Sequence, residues 1–192
     1  MMNSISAFEY ITILISIILG LGITHILSSL VRLLHIPGVQ SYWPHMIWVL
    51  LVLLLHIQEW FVLYELKDLK AWRMVTFLFV ILYPINLFIL ANLLFPLNID
   101  EENCAFKPFY FEHIQKISIF ACTLVLLSVL HNVFLLNLGI ATQVPQGVLL
   151  LVFIFLVLRP AAPYWVHKAI AVFLLTLSVA SVVVSYDTWI IR

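Results

Sequence analysis

Six runs of predominantly apolar residues, approximately 8–34, 43–66, 73–96, 114–138, 143–159 and 164–190, follow one another with only short polar or proline-bearing stretches between them. A membrane helix needs about 20 mostly apolar residues to cross a hydrocarbon core of about 30 Å. Hydrocarbon offers no partner to backbone N–H and C=O groups, so segments of this length satisfy them internally, as helices. The runs predict an all-α integral membrane protein of six transmembrane helices, forming one domain over residues 1–192. Composition agrees, at 65% hydrophobic and 9% charged residues with a mean hydropathy of +1.16, against about a quarter charged in soluble proteins. The formal net charge is zero, which leaves no electrostatic case for nucleic acid as a partner, and the lipid bilayer is the partner expected.

The connections carry turn chemistry: HIPGVQSYWP after the first run, KDLKAWR after the second, PLNIDEENCAFKPFYFEH after the third. MMNSISAFE lacks the basic stretch of a signal peptide, and the run behind it is too long for one, so it reads as a retained first span. Six crossings put both termini on one side, here side A. Lysine and arginine near the span ends do not orient the bundle, because Lys67, Lys70, Arg73 and Arg192 on side A are balanced by Arg32, Lys107, Lys116, Arg159 and Lys168 on side B. Trp43, Trp60, Trp72, Tyr110, Trp165 and Trp189 fall at run ends, where interfacial aromatics belong. Cys104 and Cys122 lie at different depths, which argues against a disulfide, and no zinc-type Cys/His spacing occurs.

Two runs are irregular. Between Pro145 and Pro160 lie fourteen residues, about 21 Å of helix, so the fifth span must recruit residues from TQVP, thin the bilayer, or re-enter it. In the third, LYPINLF places Pro84 and Asn86 inside the helix, removing one backbone hydrogen bond and adding a polar side chain. FEYITILISI at 8–17 is echoed by FEHIQKISI at 111–119, and Pro44 and Trp72 by Pro145 and Trp165. Such echoes raise the prospect of a 3+3 inverted repeat of the transporter kind; in so apolar an alphabet, chance produces similar matches.

The ionisable residues inside the runs are the candidates for function, since each costs about 2.5–3.5 kcal/mol on insertion scales and ordinarily faces the bundle interior. Counting inward from the expected span ends, Glu59 lies roughly 10 Å and His56 roughly 15 Å from side A, with His131 and Asn132 at roughly 9–11 Å. His56 and Glu59 share a helix face, and Ser16, with Ser181 or Ser185, falls in the same half. His56, Glu59, His131, Asn132 and Ser16 thus form a candidate polar site for a proton, a cation or a small polar solute. The plainer reading is that Glu59 fastens helices through His131 or Asn132, an effect of about 0.6–2 kcal/mol. Toward side B, His25 and Arg32 form a secondary polar group, while His45, His113 and His167, at span starts, read as interfacial. Ser16, Gly20, Thr24 and Ser28 make a small-xxx-small row, read first as a packing face for another helix and second as a homo-oligomer contact. Glu9 and Asp187 sit near the A interface, where a charge costs little.

FEYITILISIILGLGITHILSSLVRLL, together with HIQEW, resembles the opening of an uncharacterised family of small polytopic bacterial membrane proteins, GLGITHILS being its most specific piece. The resemblance implies a bacterial inner membrane and no function. No HExxH, GxSxG, P-loop or di-iron histidine cluster is present, and the deepest lysine, Lys168, sits at a span end, which disfavours an enzyme and a retinal protein. A metal, if any, would fall to His56, Glu59 and His131. The alternatives to an ion or solute site are a bis-histidine haem protein using His56 and His131 and a non-catalytic partner subunit.

Overall fold

The computed structural model describes residues 7–68, 72–96 and 105–184. Lys70, Cys104, Ser185, Asp187, Trp189 and Arg192, singled out above, lie outside the described residues. Among these residues there are six long α-helices: α1 (Ala7–His35), α2 (Trp43–Glu65), α3 (Met74–Leu93), α4 (Phe106–Phe134), α5 (Val144–Leu158) and α6 (Tyr164–Val184). Each is long and apolar enough to cross a membrane, α5 when joined by the 3-10 turn Ile140–Gln143 that runs directly into it. The short fifth span therefore gains its length by recruiting the residues before Val144. Helix ends follow local chemistry. Pro44 enters α2 within its first turn, where a missing N–H costs nothing. Past α4, Asn137 takes the left-handed conformation (φ 54°) while Leu135 and Leu136 both donate to the His131 carbonyl. Gly38 (φ 78°) turns the chain between α1 and α2.

One boundary departs clearly from expectation. α4 runs from Phe106 to Phe134, eight residues before the expected start and four short of the expected end. Lys107 and Glu112 broke the apolar run without breaking the helix, because Pro108 lies in the first turn and Phe106, Tyr110 and Ile114 continue one buried face.

Helix α2 is the hub of the bundle, packing against α1, α3, α4 and α6; α1 also packs closely on α3, α3 on α4, and α4 on α5. In the first half α1 has α3 as its closest neighbour, whereas in the second α4 has α5, so the two halves differ in their pattern of neighbours. The buried face of α1 is Ile11, Ile15, Leu19, Gly22, Ile26 and Ser29, a spacing of threes and fours that makes one stripe. The row Ser16, Gly20, Thr24 and Ser28 lies off that stripe, with Thr24 and Ser28 not buried and nothing within 4 Å of a side chain built on Gly20. It is not the surface by which α1 packs on this chain. Phe8 meets Trp72 where α1 and α3 begin, at 6.5 Å between rings. At the other end the starts of α2, α4 and α6 converge through Tyr42, His45, Phe106, Tyr110, Phe111, Tyr164 and His167.

Candidate functional site

His56 is fully buried between α2 and α1. Its Nδ1 lies 2.7 Å from the carbonyl of Val52. A carbonyl only accepts, so Nδ1 carries the proton and Nε2 presents a bare lone pair. That nitrogen is sealed from solvent without a hydrogen-bond partner among the described residues and looks onto Gly22. A Cβ at Gly22 would overlap Nε2 outright and stand 2.8 Å from Cδ2. Glycine at 22 is thus what admits the imidazole to the α1–α2 contact, which ties GLGITH on α1 to HIQEW on α2.

One turn along α2, Glu59 is buried, at 4% exposure, and has no ion-pair partner among the described residues. Tyr83 of α3 stands within electrostatic range of it. The Tyr83 ring in turn lies 6.0 Å from that of His131 on α4. His131 also stands edge-on to Phe79 at 4.6 Å, with Nε2 3.3 Å from the Phe79 carbonyl. Pro84 explains why this stretch of α3 is a good neighbour for a polar ring: lacking an N–H, it deprives the adjacent Val80 carbonyl of its usual donor and loosens the helix. Glu59, Tyr83 and His131 form a row across three helices. Sequence reasoning missed Tyr83, although a tyrosine inside a span, away from either interface, is itself a signal.

The other expected members go elsewhere. Asn132 falls in the last turn of α4, because that helix stops at Phe134, and its Nδ2 donates to Gln143 Oε1 at 2.8 Å; Gln143 donates to Thr142. It ties α4 to the turn before α5 and stays out of the row. Ser16 returns its hydroxyl to the Thr12 carbonyl of its own helix at 2.6 Å and borders an outward groove with Phe8, Glu9, Thr12, Ile13 and Ile17. Ser181 is exposed. Asn86 is buried and donates to the Phe120 carbonyl at 3.0 Å, clamping α3 to α4. His25 is half-buried with Nε2 sealed and its ring against Phe95 at 6.0 Å, whereas Arg32 is exposed, so no hydrogen bond joins this secondary pair.

Among the described residues no three of His, Cys, Asp or Glu come together as a metal set. The ring nitrogens a bis-histidine haem would need point apart: His56 Nε2 at the α1 backbone, His131 Nε2 at the α3 backbone.

The histidines expected at the interface require a correction. His45 and His167 are fully buried, in an aromatic cluster centred on Tyr110, itself fully buried. His113 stacks on Phe109 at 4.2 Å and bonds the Phe109 carbonyl. The expected α4 start at 114 left Tyr110 in a loop and concealed this cluster. Trp43, Trp60 and Trp165 do face outward, as interfacial aromatics would. The fold and these helices define an all-α, six-helix, multi-pass membrane protein. No protein-family model, curated protein or solved structure matches the chain.

Proposed function

We propose that this protein handles protons inside the membrane, at a site built on Glu59 with Tyr83 and His131 as its neighbours. One observation carries the reading: a buried carboxyl without a counter-charge among the described residues lies within electrostatic range of a phenol, and that phenol stands beside an imidazole on the next helix. Ionisable groups at membrane depth are expensive, which favours their having a use. Carboxyl, phenol and imidazole each take and give a proton. A hard cation would ask for several oxygen ligands, where this row offers one carboxylate and one hydroxyl. The resemblance noted for the first two spans favours a bacterial inner membrane, and six crossings favour termini on a common side.

The test is proton flux in proteoliposomes, followed with an entrapped pH dye over pH 5 to 8, for the wild type and Glu59→Gln. The glutamine keeps size and hydrogen bonding but deletes ionisation. Flux by the wild type with at least a tenfold loss in the variant is expected, and Tyr83→Phe should lower it as well. Equal flux from wild type and Glu59→Gln, or none from either, overturns the proposal. The outward row Gly20, Thr24 and Ser28 favours a second reading, a subunit that assembles through α1 with another membrane helix. In that case the chain would co-purify with a partner and tolerate Glu59→Gln.

A further inference from the structure

The contact between α1 and α2 holds an ionisable side chain that the row of Glu59, Tyr83 and His131 does not use. His56 is fully buried there, and its one hydrogen bond runs from Nδ1–H to the Val52 carbonyl of its own helix, at 2.7 Å. The other ring nitrogen, Nε2, is sealed and has no hydrogen-bond partner among the described residues. What stands in front of it is the backbone of α1. The direction a Cβ would take from Gly22 runs into Nε2, and in glycine that direction is occupied by an α-hydrogen. The bare lone pair therefore receives a Cα–H, a weak contact of the kind that recurs where two helices lie close.

This arrangement suits only the neutral ring. A protonated imidazole donates from both nitrogens, so the cation would set an N–H against a C–H, while the carbonyls around Gly22 already accept within α1. Turning the ring over would surrender the Val52 bond. A buried charged donor left unpaired is costly, and the cation needs an oxygen at about 2.9 Å. The titratable side chains on the surrounding helices do not supply it in place. Glu59 lies one turn along α2, Tyr83 of α3 stands beside His131 of α4, His25 lies one turn from Gly22 on α1 with its ring against Phe95, and His167 of α6 is bonded to Tyr110. None of them is hydrogen-bonded to His56. Glu9 and Arg32 are about 20 Å and 15 Å from Gly22 along α1. Room for an acceptor arises when α1 withdraws from α2 at this point, keeping its packing on α3.

We propose that the α1–α2 contact at Gly22 is a pH-operated joint, closed while His56 is neutral and opened when His56 takes up a second proton. Its operation does not depend on the role assigned to Glu59.

Dipolar EPR on the full chain in lipid nanodiscs reads the joint directly. Nitroxides are placed on Leu21→Cys and Ile57→Cys, exposed residues beside Gly22 and His56, with Cys104→Ser and Cys122→Ala removing the native thiols. Lowering the pH from 8 to 4.5 should lengthen the interspin distance reversibly by at least 2 Å. The lengthening should vanish in His56→Gln and in His56→Ala, either of which suffices should the other fail to fold, and persist in Glu59→Gln and His25→Gln. A distance that stays constant between pH 8 and 4.5 with His56 in place overturns the proposal. Lengthening that survives the loss of His56 overturns it too, as does its disappearance in Glu59→Gln or His25→Gln, which would assign the titration to another residue.

Discussion

The contact between Gly22 and His56 makes a quantitative claim on stability. A methyl group at 22 would overlap His56 Nε2 and come 2.8 Å from Cδ2, so in Gly22→Ala the imidazole must swing aside or α1 must retreat from α2. Overpacking of this kind costs about 1–3 kcal/mol. Alanine also returns up to about 1 kcal/mol as the better helix former. The net destabilisation expected is therefore only about 0–2 kcal/mol, too small to be decisive alone. The double-mutant cycle is decisive. With His56→Ala the ring is gone, and adding Gly22→Ala should be neutral or stabilising by up to about 1 kcal/mol. The difference between the two backgrounds, about 1–3 kcal/mol, is the coupling between the positions. Unfolding equilibria measured by steric trapping in micelles give all four values. If Gly22→Ala has the same effect whether residue 56 is histidine or alanine, the contact is refuted, and with it the role assigned to the glycine in GLGITH.

Asn86→Leu should lose the hydrogen bond to the Phe120 carbonyl and cost about 0.6–2 kcal/mol in the same assay, with no effect expected on proton flux. Asn132→Leu and Gln143→Leu should each loosen the α4–α5 connection, and their combination should cost no more than the larger single effect, since one bond joins them; hydrogen exchange at 135–143 is the measurement. Tyr42, whose hydroxyl burial raises above 10, should titrate above free tyrosine in the ultraviolet. With the folded value raised, its contribution to stability is fully present below pH 10 and lost as the pH climbs through the raised value, so alkaline unfolding should come later in Tyr42→Phe.

Length and apolarity made the six spans legible in sequence, and five of them begin within a residue of the expected positions. The exception, α4, shows what a hydropathy reading weighs wrongly. Lys107 and Glu112 are polar at the side chain but leave the backbone helical, so the helix projects past the apolar run and brings Tyr110 into the core. The same error displaced Asn132, whose estimated depth assumed a helix reaching 138. Glu59 and His131 share an estimated depth in the sequence; in the structure Tyr83 is within electrostatic range of the first and 6.0 Å from the ring of the second. The tyrosine itself escaped notice because it reads as apolar in a hydropathy count. The orientation of His56 toward Gly22 depends on how closely α1 and α2 cross, which no pattern within one helix encodes.

In a soluble helix the buried face is read from its apolar residues, but here both faces are apolar and that signal vanishes. What replaces it is visible on α2. His45, His56 and Glu59 all lie on its buried stripe with Trp48, Val49, Val52 and Leu63. His45 and His56 are eleven residues apart, about 20° around the helix after three turns. Polar side chains mark the inner face because lipid would impose the full desolvation cost on each of them, whereas a helix enclosed by four neighbours can offer rings, carbonyls and hydroxyls instead. The converse also holds. Ser16 and Thr12 sit outside the packed stripe and stay there by returning their hydroxyls to their own backbone, and Arg32 is exposed where α1 nears its end, within reach of the headgroups. The buried polar side chains Glu59, His56, His45 and Asn86 are instead among those the bundle is folded around. α2, which carries three of the four, is the helix that touches the most others.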